Sequence, residues 1–116
     1  MKHLSRFIRF AALSSALVAT TAVYANAEVD EIIREDIASA QVMTETCPAA
    51  IGKNAKFDQN IQKAINALLG KYSNKSTTLE SLQKSAEYQE VLTEARESAK
   101  EVDAEEQKAV CEEVAA

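Results

Sequence analysis

Residues 86–101 read AEYQEVLTEARESAKE. Tyr88, Val91, Leu92, Ala95 and Ala99 recur every three or four positions and lead on to Val102, the spacing that stacks side chains along one side of an α-helix. Glu87, Glu90, Glu94, Glu97 and Glu101 recur in the same way on another side. One side is built to pack and the other to face water, so the stretch predicts an amphipathic helix from Ala86 to Glu101, with Ser85 as its cap.

The same reading extends in both directions. Asp103 followed by Glu106 is an Asp-x-x-Glu variant of the capping box, which predicts a last helix from Ala104 that carries Val110, Cys111 and Val114 toward a core. Upstream, Thr78–Lys84 predicts a short helix burying Leu79 and Leu82, after a polar connection over Lys71–Thr78. Phe57, Ile61, Ala64, Ile65 and Leu68 mark another amphipathic helix, with Lys56 and Lys63 opposite its apolar side and Gly70 at its end, where a left-handed cap is usual. Val29, Ile32, Ile33, Ile37, Ala40, Met43 and Cys47 predict the first helix, from about Val29 to Thr46. Pro48 is expected to end it, because a proline disfavours helical geometry in the residue before it. Asp36 falls beside Val29, Ile32 and Ala40 on the apolar side, an acid at the edge of the core or partnered by a lysine. Two glycines and one proline are too little turn punctuation for a β-sandwich or barrel. The fold class is all-α, a small bundle of four to five helices.

The two cysteines, Cys47 and Cys111, are 64 positions apart, and neither sits in a C-x-x-C or near a histidine. A disulfide between them is the expected use, joining the end of the first helix to the middle of the last. In the chain-entropy account, closing a loop of that length removes roughly 4 kcal/mol of unfolded-state freedom, comparable to the net stability of a small domain.

The N-terminus supplies the matching compartment. Lys2, Arg6 and Arg9 precede an apolar run from Phe10 to Val23, and Ala25-Asn26-Ala27 follows. That order is a cleavable secretory signal peptide over residues 1–27, and the apolar run is shorter than the ~20 residues a spanning helix needs. The expected product is a single helical domain over 28–116, exported to the periplasm and not inserted in the membrane. Three of the 13 Lys and Arg leave with the signal and none of the 18 Asp and Glu, so the remainder carries a net charge of −8. Nucleic acid and anionic membranes are disfavoured as partners of so acidic a domain.

His3, the only histidine, leaves with the signal too. Residues 28–116 hold no Gly-rich phosphate loop, no zinc-type His and Cys cluster, no D-x-D-x-D-G calcium loop and no nucleophile elbow. No catalytic residue, metal or cofactor is expected. The ridge Glu87, Glu90, Glu94, Glu97 and Glu101 is the feature open to function, as a surface that receives a basic protein partner, although solvated helices commonly carry such charge.

The segment Tyr88-Gln89-Glu90-Val91-Leu92-Thr93-Glu94-Ala95-Arg96, leading to Ala109-Val110-Cys111-Glu112, together with Thr44-x-x-Cys47-Pro48, resembles a family of small uncharacterised exported proteins from the Moraxella and Acinetobacter group. The resemblance implies an exported, disulfide-closed helical protein and no particular activity. In size, helicity and a single disulfide the chain is also similar to acid-activated periplasmic chaperones of the HdeA type, and more loosely to the pilotins of secretion systems, many of which carry a lipid-accepting cysteine that this chain lacks. The expected function is thus non-enzymatic binding or adaptor work through a helix surface. A stress chaperone switched on by acid is the alternative.

Overall fold

The computed structural model describes residues 22–116, with side chains from Ala27 onward. All but the last positions of the expected signal peptide lie outside the described residues. Five helices follow in order: α1 (Ala22–Ile51), α2 (Ala55–Lys71), α3 (Leu79–Gln83), α4 (Ala86–Glu101) and α5 (Ala104–Ala115). The all-α class and the helix count agree with the sequence.

α1 is the axis of the molecule. It packs against α2, α4 and α5; α2 also meets α5, and α3 meets α4. Arg34 pairs with Glu87 and Glu45 with Arg96, so the contacts advance together along α1 and α4 and the two helices run parallel. The core lies where α1 meets its neighbours, around Ile37, Phe57, Ile61, Tyr88 and Leu92, each 5% exposed or less. α1 buries side chains over a wide arc, including the adjacent Ile37 and Ala38, because it has neighbours on more than one side.

Local signals fix the helix starts. Asn54 accepts from the Phe57 amide and Thr78 exchanges bonds with Ser81. Ser85 accepts from the Tyr88 amide at 3.4 Å, and Asp103 accepts from the Glu106 amide at 2.8 Å. Each cap satisfies an N–H that the first turn leaves without an intrahelical partner. The expected bounds of α4 and the start of α5 hold.

Two expected stops do not. α1 passes through Pro48 to Ile51, and Gly52, at φ +79°, supplies the left-handed cap with its amide donating to Pro48 O at 3.0 Å. Pro48 sits in the last turn, where the helix continues because only one upstream hydrogen bond is lost and Cys47 is anchored by its bond to α5. α2 continues through Gly70, whose φ is not positive, to Lys71 and ends at the extended Tyr72. The left-handed position is therefore Gly52, not Gly70.

The apolar stripe of α1 is also narrower than its sequence suggests. Ile33, Ile37, Ala40 and Cys47 are buried, whereas Val29 is 47% and Ile32 57% exposed. Asp36, between the levels of these exposed residues and the covered part of the stripe, faces solvent, so it is neither a buried nor a core-edge acid. α5 spans only about 18 Å against about 45 Å for α1 at 1.5 Å per residue, and the disulfide fixes it at the far end. It covers Met43 and Cys47 and does not reach Val29. Val110 and Val102, also expected in the core, are 43% and 39% exposed.

Candidate functional site

The disulfide joins Cys47 to Cys111 with their Cα atoms 5.5 Å apart, and no free cysteine remains. Both residues are 1% exposed. They form one wall of a cleft of about 230 Å³ between α1, α4 and α5. Val42 and Met43 line it from α1, Ala95, Ala99 and Val102 from α4, and Val110 from α5. The cleft follows from a change of side-chain size along α4. Tyr88 and Leu92 fill the interface at its start, whereas Ala95, Ser98 and Ala99 leave room at its end. The partly exposed Val102 and Val110 account for their departure from the expected core: they are the rim of this cleft.

A neighbouring recess of about 470 Å³ shares Val42, Thr46, Ala99 and Gln107 with the cleft and is edged by Glu45, Arg96, Glu97 and Lys100. Arg96 donates to both oxygens of Glu45, at 2.9 and 2.7 Å. That pairing holds the Glu45 carboxyl below the usual carboxylate range.

All five residues of the expected acidic ridge, Glu87, Glu90, Glu94, Glu97 and Glu101, are exposed. Glu87 lies 3.7 Å from Arg34 and Glu97 3.4 Å from Lys100, while Glu90, Glu94 and Glu101 have no ion pair among the described residues. Gln89, Glu90, Thr93 and Glu94 border a shallow recess on the ridge. The ridge also continues onto α1, which the sequence reading did not anticipate. Burial, then the neighbouring charges of Glu31, Asp36 and Glu94, raises the Glu35 carboxyl above its ordinary value. Glu35 is the α1 acid whose carboxyl is raised, whereas those of Asp30 and Glu45, on the same helix, are lowered by their partners.

Among the described residues no three His, Cys, Asp or Glu side chains converge in a way that would hold a metal ion. The buried phenols are engaged in structure: Tyr88 Oη bonds Gln41 Oε1 at 2.7 Å, and Arg34 Nη1 donates to Tyr72 Oη at 2.7 Å. What the α4 surface offers is an apolar cleft and an acidic ridge on one helix.

A family model described as a domain of unknown function (DUF7944) matches residues 33–114. The chain belongs to this family. The DUF7944 match runs from Ile33, a buried residue of α1, to Val114 near the end of α5, and so takes in the disulfide, the cleft and the ridge. It leaves out the exposed Val29 and Ile32. No curated protein and no solved structure matched the chain. The disulfide fits an oxidising compartment outside the cytoplasm. No helix among the described residues is long and apolar enough to cross a membrane.

Proposed function

We propose that this protein is a non-enzymatic binding or adaptor protein that takes a basic, amphipathic segment of a protein partner along the second half of α4. The observation that supports it is that the cleft bounded by Ala95, Ala99 and Val102 adjoins a recess edged by Glu97, one of the ridge residues. A helix laid there would put apolar anchors into the cleft and basic side chains over the ridge, the usual division between affinity and specificity in helix-in-groove recognition. The place of action is the periplasm, a reading supported by the tripartite N-terminus, by the resemblance to exported Moraxella and Acinetobacter proteins and by the disulfide.

A photo-crosslinking side chain at Val102, used in intact cells, tests the reading. Adducts with a partner should form, should weaken at raised salt and should vanish when Glu90, Glu94 and Glu97 are reversed to Lys. Salt-insensitive adducts that survive the reversal would return the ridge to a merely solvated face.

A second reading, the acid-activated chaperone, is favoured by one observation. Two of the contacts that tie α1 to its neighbours, Asp30 with Ser73 and Glu45 with Arg96, depend on ionised carboxylates.

A further inference from the structure

The cations of residues 28–116 divide into two sets. Arg34, Lys84, Arg96, Lys100 and Lys108 each lie within 4 Å of a carboxylate. Lys53, Lys56, Lys63, Lys71 and Lys75 have no ion pair among the described residues, and all five are exposed. Residues 1–26 contain no Asp or Glu that might supply one. The five unpaired lysines are confined to α2 and the turns beside it, where Asp58 is the only acid, so residues 52–76 carry a net charge of +4. Residues 28–51 and 77–116 carry −5 and −7. Residues 28–116 are therefore bipolar, which their total of −8 conceals.

We infer that the lysine stripe of α2 docks on the acidic ridge of α4 in a second copy of this chain. The inference rests on the reading of the ridge as a receiver of basic side chains and names one such donor. Two observations carry it. The first is spacing: Lys56 and Lys63 are seven residues apart, as are Glu94 and Glu101, so each pair spans about 10.5 Å along its helix and the charges can meet in register. Charges repeated at this interval set partner choice between helices in coiled coils. The second is placement. α2 packs on α1 and α5, and α4 on α1 and α3, so within one chain the stripe and the ridge lie on different helices flanking α1 and leave each other's charges unpaired.

The resulting contact is heterologous, stripe to ridge, and leaves one stripe and one ridge free in each pair for the next copy. Exposed ion pairs are individually weak and screened by salt, so the association is reversible and strongest at low ionic strength. An anionic membrane is the less fitting occupant. Among the described residues the exposed large apolar ones are Val29, Ile32, Val102 and Val110, none of them on α2, whereas a helix that lies in a membrane interface needs an apolar face to bury.

Sedimentation of the purified, disulfide-intact protein tests this with two exposed double variants, Lys56→Glu/Lys63→Glu and Glu94→Lys/Glu101→Lys, whose folding is checked by circular dichroism. The wild type should gain mass with concentration in low salt and return to monomer at about 0.5 M salt, where screening is nearly complete beyond contact. Each variant alone should stay monomeric, and an equimolar mixture should associate again, because each supplies the face the other has lost. A wild type that stays monomeric, or a mixture that fails to associate, overturns the inference. So does a monomeric wild type that binds phosphatidylglycerol vesicles through Lys56 and Lys63, which would give the stripe to a membrane. The ridge reading fails separately, if the Val102 adducts are insensitive to salt and survive the reversal of Glu90, Glu94 and Glu97.

Discussion

Tyr88 has no exposed surface, and its hydroxyl is satisfied by Gln41 across the α1–α4 interface. Burial pushes the phenol up to about 12. The unfolded chain ionises near 10 while the folded one holds its proton, so this residue's contribution is complete below pH 10 and is lost as pH rises toward 12, with a slope of at most roughly 1.4 kcal/mol per pH unit. Tyr88→Phe should cost about 0.5–1.5 kcal/mol at pH 7, where one hydrogen bond is lost, and should flatten the alkaline limb of a urea-midpoint profile between pH 10 and 12. An unchanged limb would mean that Tyr88 ionises in the folded state. The sequence shows Tyr88 on a buried stripe because that needs only local spacing. It does not show Gln41, 47 positions away, and it does not show that Glu35 lies near Glu94 of α4, because which neighbour a helix side chain meets is a tertiary fact.

The starts of α4 and α5 were legible, whereas α1 begins at Ala22, before the expected Val29, and the helix ends were less legible, for a physical reason. Ser85 and Asp103 act on amides two or three residues ahead, within reach of any local reading, whereas the ends of α1 and α2 are decided by packing that carries the chain past Pro48 and Gly70. The two glycines turn this into a prediction of opposite signs. At Gly52 nothing lies within 4 Å of an added Cβ, but φ is +79°, so Gly52→Ala meets only the left-handed backbone penalty and should destabilise by roughly 1 kcal/mol. Gly70 is helical and equally open, so Gly70→Ala should stabilise by roughly 0.5–1 kcal/mol. Urea denaturation of both variants decides it. Equal signs would move the left-handed cap away from Gly52.

On the scale of the whole molecule, the helical class and the cysteine pairing were legible because an amphipathic pattern and two lone cysteines leave few alternatives. The cleft and the bipolar charge were not. The cleft depends on Ala95 and Ala99 of α4 lying across from Val110 and Cys111 of α5, and the lysines of α2 count as surplus only once the other cations are seen to be paired. Ionised carboxylates also set the response to acid. Asp30 is held below its ordinary value, chiefly by the Ser73 side chain, and Glu45 chiefly by Arg96. The stability they contribute is complete above their ordinary values and is lost as pH falls through the depressed ones. Glu35 acts in the opposite sense: raised chiefly by burial, it costs stability when ionised, and that cost is relieved on acidification. Protonation of all 18 carboxylates would leave the ten Lys and Arg of residues 28–116 uncompensated, and the self-repulsion of so cationic a chain opposes compaction. The urea midpoint should therefore fall between about pH 5 and 2, and Asp30→Asn should lower it at pH 7 while shrinking the acid-induced part of the fall. The disulfide keeps α5 on α1 throughout, and Cys47→Ser/Cys111→Ser should remove roughly 2–5 kcal/mol at neutral pH and unfold the acid state further. If that tethered, opened state is the working form, the protein should suppress aggregation of acid-denatured clients at pH 2–3 and not at pH 7, and should do so less well without the disulfide. Absence of suppression at low pH removes the chaperone reading and leaves the α4 surface as the site to pursue.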